Sequence, residues 1–89
     1  MWELRYADDA TDQLLRLDRP VARRIRTYLV DTVATGDPRS RGRGLTGPLA
    51  GYWRYRVGDY RVIARIEDDR LVVLAVAVAH RSEVYKEAS

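Results

Sequence analysis

The segment from residue 51 to residue 65, GYWRYRVGDYRVIAR, constrains the fold of this chain more than any other. Two stretches of alternating side chains flank Gly58-Asp59, and glycine at the first turn position allows the positive φ that tight hairpin turns require. The sequence therefore predicts two antiparallel strands joined by a two-residue turn. Such a turn fixes the register, and the predicted pairs are Val57 with Tyr60, Arg56 with Arg61, Tyr55 with Val62 and Arg54 with Ile63.

The two faces of this hairpin differ in chemistry, because side chains alternate between the faces of a strand pair. One face is apolar and is expected to meet the core: Trp53, Tyr55, Val57, Tyr60, Val62 and Ala64. The other face carries Arg54, Arg56, Arg61 and Arg65. Like charges at opposed positions destabilise a sheet, so the Arg56–Arg61 pair indicates an anionic ligand, either RNA phosphates or an acidic protein. The alternative is a solvated face without a ligand.

Charge is unevenly distributed along the chain. The formal net charge is only +3, but residues 39–65 contain seven arginines and a single acid, Asp59. Acids are concentrated elsewhere, for example at residues 8–9 and 67–69. This asymmetry predicts a basic patch on a mixed surface.

Composition bounds the class of protein. The 89 residues allow one domain with a modest core, which we place over residues 1–89. Cysteine is absent, which excludes disulfides, cysteine-based metal sites and thiol catalysis. No segment reaches the roughly 20 apolar residues of a membrane span, and the N-terminus is too polar for a secretory signal. We therefore expect a cytoplasmic protein that does not bind a membrane.

The N-terminal part of the chain predicts a strand and two helices. Residues 2–6 alternate as a strand does, and Asp8 or Asp9 can cap the first helix. The apolar side of this helix consists of Leu14, Leu15 and Leu17. Pro20 suits the first turn of a second helix that ends at Gly36. The apolar side of the second helix consists of Val21, Ile25, Tyr28, Leu29 and Val33.

The rest of the chain predicts a loop, the hairpin and a last strand. Residues 36–51 hold five of the six glycines and are expected to form a long loop. Residues 71–79 are apolar on both faces, which favours an interior strand, and residues 82–88 are expected to form a short helix. The order β-α-α-β-β-β predicts an α+β domain in which an N-terminal helical hairpin covers one face of an antiparallel sheet.

A glycine motif in the predicted loop does not indicate nucleotide binding. Residues 42–47, GRGLTG, have the spacing of a dinucleotide fingerprint. That motif requires a strand before it and a helix after it. Here an arginine-rich loop precedes the motif and Pro48 follows it, so a flexible loop is predicted.

Two residues near the C-terminus are candidates for chemistry. His80, the only histidine, is either a structural residue at a strand end or a proton-transfer group. A single histidine does not make a zinc site without further ligands, and we predict neither a metal nor a cofactor. Tyr85 either anchors the terminal helix to the sheet or stacks on an unpaired base.

Residues 45–61 (LTGPLAGYWRYRVGDYR) and residues 79–85 (AHRSEVY) resemble the RelE toxins of bacterial toxin–antitoxin systems. The resemblance covers most of the chain, although the pattern around Gly58-Asp59 is shared across the wider RelE/ParE superfamily. RelE-like toxins are implied to enter the ribosomal A site and cut mRNA there without a metal. The mRNA 2′-hydroxyl attacks the adjacent phosphate, which gives a 2′,3′-cyclic phosphate and a 5′-hydroxyl.

The resemblance also implies roles for individual residues. Arg54 and Arg56 match a pair of basic residues on the first hairpin strand, and Arg61 matches a phosphate-binding arginine on the second. Arg81, with His80 beside it, matches a basic position after the last strand. Tyr85 matches a tyrosine that stacks on or orients the cleaved nucleotide.

The sequence departs from the family at one important point. Well-studied members have lysines where Arg54 and Arg56 stand in this chain. Arginine is effectively always protonated and does not readily act as a general base. Proton removal then falls to His80, Glu83, a ribosomal group or water.

The implied partners are the ribosome with its mRNA and an acidic RelB-like antitoxin that wraps the basic face. Operator DNA is expected to be bound only through the toxin–antitoxin complex. Two alternatives stay open at this point: a ParE-like inhibitor of DNA gyrase that acts by binding, and a catalytically degenerate toxin retained for antitoxin binding.

Overall fold

The structure is a computed structural model and describes residues 1–82. Two helices follow the first strand, and a π-helical segment extends the second. These helical elements are α1 (Asp8–Leu15), α2 (Arg19–Tyr28) and the π-helical segment (Leu29–Ala34). The strands are β1 (Glu3–Tyr6), β2 (Arg43–Gly44), β3 (Trp53–Val57), β4 (Tyr60–Glu67) and β5 (Val72–His80). The helix predicted over residues 82–88 lies outside the described residues, except for its first residue.

The five strands form one sheet in the order β1-β5-β4-β3-β2. The predicted α+β class and the interior position of the last strand are confirmed. Strands β2 to β5 pair antiparallel, as expected. The sheet is nevertheless mixed, because β1 pairs with β5 in parallel. In the part of the chain that the structure describes, no helix has the length and apolar composition needed to cross a membrane.

The hydrophobic core lies between the helices and one face of the sheet. The helices contribute Ala10, Leu14, Ile25, Leu29 and Val33 to this core. The strands contribute Tyr55, Val57, Val62, Ala64, Val73, Ala75 and Val78. The apolar face predicted for the hairpin is therefore confirmed, with Trp53 and Tyr60 partly buried at its margins.

Two predictions for α1 are wrong. Its N-cap is Ala7, which offers no side-chain cap, and Asp8 and Asp9 are instead the first helical residues. Carboxylates in a first helical turn still interact favourably with the positive end of the helix dipole. Leu15 is the last residue of the helix and is 71% exposed, whereas Leu14 is buried.

The β3–β4 hairpin has the predicted register at every pair, including Arg56 with Arg61. Gly58 has φ +59°, while Asp59 is not among the residues of positive φ. Positive φ at the first turn residue alone is the pattern of a type II′ turn. Local turn chemistry thus sets which side chains of the two strands lie opposite each other.

Strand β5 contains a β-bulge that the sequence did not reveal. Ile63 and Ala64 pair with Ala77 and Ala75, which leaves Val76 as an extra residue. The alternation of side chains between the two faces is therefore reversed from Ala77 onwards. This reversal determines to which face of the sheet the side chains at the end of β5 point.

The first helix also holds the far end of β5. Strand β1 ends at Tyr6, opposite Ala75, so β5 has no strand neighbour on that side beyond this point. Gln13 of α1 accepts a hydrogen bond from the Val78 amide there, with an oxygen–nitrogen distance of 2.5 Å. A buried amide at this edge thereby obtains an acceptor.

Candidate functional site on the outer face of the sheet

The face of the sheet turned away from the helices, here called the outer face, carries its charges in rows. Residues at paired positions point to the same side of a sheet. The row beside the hairpin turn consists of Arg56, Arg61 and Ala79. The second row consists of Arg43, Arg54, Ile63 and Ala77. The third consists of Arg5, Arg65 and Leu74, and the fourth of Glu3, Glu67 and Val72.

The outer face is electrically asymmetric along the strands. Its first two rows carry only arginines among their charged residues, whereas its last row carries acids. Arg5 of the third row pairs with Glu3 at 2.5 Å, and this guanidinium lowers the pKa of the Glu3 carboxyl. The turn end is therefore the part of the face suited to an anion.

Arg61 is the most constrained of the predicted site residues. It is only 2% exposed, so it is not a solvated surface residue. Its Nη1 donates hydrogen bonds to the carbonyl oxygens of Gly58, at 3.3 Å, and Tyr60, at 3.1 Å. These bonds offset part of the cost of burying a charge beside Arg56. The turn thus holds the Arg61 guanidinium in a fixed position, while Arg56 opposite it is exposed.

His80 lies on the other side of the sheet from this arginine pair. It pairs with Tyr60, and the two rings meet edge to face with centroids 5.6 Å apart. Its Nδ1 lies 3.1 Å from the Ser82 hydroxyl. Without the bulge at Val76, simple alternation from Val73 would put residue 80 on the outer face. The structure therefore does not bring the His80 side chain together with Arg56 and Arg61.

The remaining predicted residues lie at or beyond the end of β5. The Arg81 amide donates to the Asp59 carbonyl at 2.9 Å, which places Arg81 beside the hairpin turn. Arg81 is exposed and lies at the same end of the sheet as Arg56. Tyr85 and Glu83 lie outside the described residues. The structure thus collects Arg54, Arg56, Arg61 and Arg81 at one end of the molecule.

Sequence reasoning missed one arginine of the outer face. Arg43 was predicted to lie in a flexible loop, but β2 pairs it with Arg54. The segment around it also bonds to β3 through Trp53, whose Nε1 donates to the Arg41 carbonyl at 2.6 Å. A strand of two residues is too short to show an alternating pattern, so only the flanking glycines could have indicated that Arg43 lies in a strand. No three His, Cys, Asp or Glu side chains among residues 1–82 are grouped to hold a metal ion.

Comparison with known proteins places this geometry in a known group of toxins. Residues 4–85 match the family described as ParE toxin of type II toxin–antitoxin system, parDE. Toxin RelG of Mycobacterium tuberculosis is 36% identical over 50 residues, which are 56% of this chain and 58% of RelG. The matched segment thus spans less than two thirds of that relative.

Solved structures share the fold over nearly the whole chain. The toxin–antitoxin complex RelBE2 of Mycobacterium tuberculosis contains a chain with a TM-score of 0.84 and 26% identity, covering 90% of this chain and 98% of that one. The isolated RelE toxin of E. coli has a TM-score of 0.72 and 22% identity, with 99% and 95% covered. The RelB–RelE complex of Methanococcus jannaschii has a TM-score of 0.70 and 17% identity, with 96% and 99% covered. At such identities the last two show the fold alone.

Proposed function

We propose that this chain, which belongs to the ParE toxin family of type II toxin–antitoxin systems, is an endoribonuclease that cuts mRNA on the ribosome. The observation that carries the proposal is the arginine pair across the hairpin. Arg56 is exposed and lies opposite Arg61, whose guanidinium the turn holds in place. Arg54 adds a third guanidinium in the next row. Such an arrangement suits a phosphate group, because arginine binds phosphate oxygens through paired hydrogen bonds.

In the proposed reaction, the 2′-hydroxyl of one nucleotide attacks the phosphorus of the adjacent phosphate. The bond from phosphorus to the 5′-oxygen breaks, which leaves a 2′,3′-cyclic phosphate and a 5′-hydroxyl. The attacked phosphate gains negative charge on its non-bridging oxygens. Arg54 and Arg56, whose side chains are accessible, are assigned to bind those oxygens, and the buried charge of Arg61 beside them is assigned to stabilise the same developing charge. A single positioned donor typically contributes about 10²- to 10³-fold in rate. The proposal includes no metal ion and no cofactor.

Proton transfer requires a group other than these arginines, which stay protonated. His80 lies at the same end of the sheet, but its ring contacts Tyr60 on the helix side. We therefore assign removal of the 2′-proton to Glu83, to water or to a group of the ribosome, and water or a ribosomal group supplies the proton that the departing 5′-oxygen takes up. Arg81 is assigned a further phosphate contact beside the turn, and Tyr85 stays the residue proposed to stack on the cleaved nucleotide.

The proposed partner outside the ribosome is an acidic, RelB-like antitoxin. The structures of the RelBE2 complex and of the Methanococcus jannaschii RelB–RelE complex contain toxins of this fold with their antitoxins. In this chain, the arginine rows of the outer face offer the complementary charge for an acidic segment. We propose that the protein acts in the cytoplasm and reaches operator DNA only through the antitoxin complex.

A second candidate function follows from the family match itself. That family is named for ParE, and a ParE-like protein would inhibit DNA gyrase by binding, without cutting RNA. A degenerate toxin that only binds its antitoxin is the third possibility. Between the nuclease and the gyrase inhibitor, the arginine pair beside the turn favours the nuclease, because a phosphate ligand offsets the repulsion within it.

Primer extension on a translated mRNA, with and without ribosomes, tests the proposal. Purified protein is expected to produce cuts within codons only when ribosomes translate the message. A parallel supercoiling assay with DNA gyrase separates the alternatives. Inhibition of supercoiling without mRNA cuts would establish the second candidate, and antitoxin binding without either activity would establish the third.

A further inference from the structure

The tripeptide Gly42-Arg43-Gly44 has no part in the proposed reaction, yet the structure fixes it firmly against β3. On its N-terminal side, the buried Tyr55 hydroxyl donates to the Pro38 carbonyl at 2.7 Å. The Trp53 indole donates to the Arg41 carbonyl at 2.6 Å. Two aromatic side chains of β3 therefore hold the segment that leads into the tripeptide.

The two glycines allow the backbone to approach β3 closely. Gly42 has φ +75°, and a Cβ atom there would lie 2.3 Å from the Arg54 carbonyl oxygen. A Cβ atom at Gly44 would lie 3.2 Å from a ring carbon of Trp53. A side chain at Gly42 would thus separate the two strands. The glycines place Arg43 at one defined position, directly opposite Arg54.

The guanidinium of Arg43 has no ion-pair partner in the described part of the molecule. Arg43 is exposed, and no acid among residues 1–82 forms an ion pair with it. Arg39 in the same loop differs, because Asp68 binds both of its Nη atoms, at 2.6 and 2.9 Å. Arg43 therefore lies on the outer face with its charge available for a ligand.

We propose that Arg43 is an additional RNA-binding residue, which binds the phosphate next to the one assigned to Arg54, Arg56 and Arg61. The row that contains Arg43 and the row that contains Arg56 are two residues apart along the strand, a distance of about 7 Å. Successive phosphates of an extended single strand have a similar spacing. The inference rests on the proposed function, since it assigns a further contact for the same RNA.

Binding without cleavage isolates the contribution of Arg43. The probe is a ribosome programmed with an mRNA whose A-site codon carries 2′-O-methyl groups, which blocks the attacking hydroxyl. Arg43→Gln is expected to weaken binding about tenfold, the size of one lost hydrogen-bonded contact to a charged group. The slope of log affinity against log salt concentration is expected to become shallower by about 0.7, the value for one phosphate contact on a single strand.

Two matched variants separate position from charge. Arg41→Gln removes the same charge two residues away, outside β2, and is expected to bind as the wild type does. Gly42→Ala keeps every charge but displaces β2, so it should weaken binding as much as Arg43→Gln. Gly51→Ala is its control, because Gly51 also has positive φ but has no atom within 4 Å of an added Cβ.

The outcomes distinguish this inference from the function on which it rests. Unchanged binding by Arg43→Gln, or equal weakening by Arg41→Gln, would overturn the role of Arg43 alone. A wild-type protein that does not bind programmed ribosomes would overturn the proposed function, and the inference with it.

Discussion

The helix side and the outer face of the sheet are built from the same strands but have opposite properties. On the helix side, Tyr55, Val62 and Ala64 are completely buried in the core. On the outer face, the neighbouring positions carry Arg54 and Arg56. Because successive residues of a strand point to opposite faces, substitutions one residue apart should affect different properties. The helix side should determine stability, and the turn end of the outer face should determine activity.

The largest effect is expected for a cavity on the helix side. Leu29 is completely buried in the core, and Leu29→Ala should lower the free energy of unfolding by about 2–5 kcal/mol, measured by urea denaturation. Leu15→Ala, on the exposed end of α1, should change it by less than about 0.5 kcal/mol. Similar losses from both substitutions would contradict the division between core and surface.

An outer-face substitution should have the converse effect. Arg56 is exposed beside Arg61, and Arg56→Gln should slow single-turnover cleavage on programmed ribosomes by about 10²- to 10³-fold. The free energy of unfolding should stay within about 0.5 kcal/mol of the wild type, because a surface charge is removed. Arg65→Gln, two rows from the turn end, is the control and should cleave normally. An Arg56→Gln protein that is destabilised but still cleaves mRNA would contradict the assignment of activity to this face.

Arg61 is expected to affect both stability and activity, because it is on the outer face but buried. Arg61→Gln removes the hydrogen bonds to the Gly58 and Tyr60 carbonyls, which should cost about 1–3 kcal/mol of stability. Cleavage should be lost as well. Arg61→Lys keeps the charge but not the paired donors, so it should recover part of the stability and little of the activity. Wild-type stability in Arg61→Gln would show that these bonds do not hold the turn.

The smallest effect on rate is expected for His80, whose ring lies on the helix side against Tyr60. His80→Ala should change the single-turnover rate by less than about threefold, because general acid–base groups typically contribute about 10²- to 10⁴-fold and His80 is not placed as one. Loss of the ring contact should cost about 0.5–1.5 kcal/mol of stability. A folded variant with a much lower rate and an altered pH–rate profile would instead make His80 the proton-transfer residue.

The sequence predicted the parts of the fold that local chemistry determines. Gly58-Asp59 sets a tight turn, and the turn sets the register of β3 and β4, so the Arg56–Arg61 pair followed from the sequence alone. The apolar spacing that includes Ile25 and Leu29 likewise located the buried side of the second helix.

Other features depend on contacts that no local pattern encodes. Residues 72–79 are apolar on both faces, so alternation could not locate the extra residue Val76 that turns His80 to the helix side. The position of Arg43 depends on the close approach of Gly42 to the Arg54 carbonyl, a contact between distant parts of the chain. The parallel pairing of β1 with β5 is also a tertiary feature.

Two double variants that lose the same charge from opposite sides of the molecule test whether the outer face carries the activity. Arg54→Gln/Arg56→Gln alters the outer face, and Arg19→Gln/Arg23→Gln alters exposed positions of α2. Both are measured in single-turnover cleavage of mRNA on programmed ribosomes. We expect the outer-face variant to lose more than about 100-fold in rate and the α2 variant to stay within about threefold of the wild type. Equal losses in the two variants would contradict this expectation, because net charge rather than the arrangement of arginines on the outer face would then determine activity.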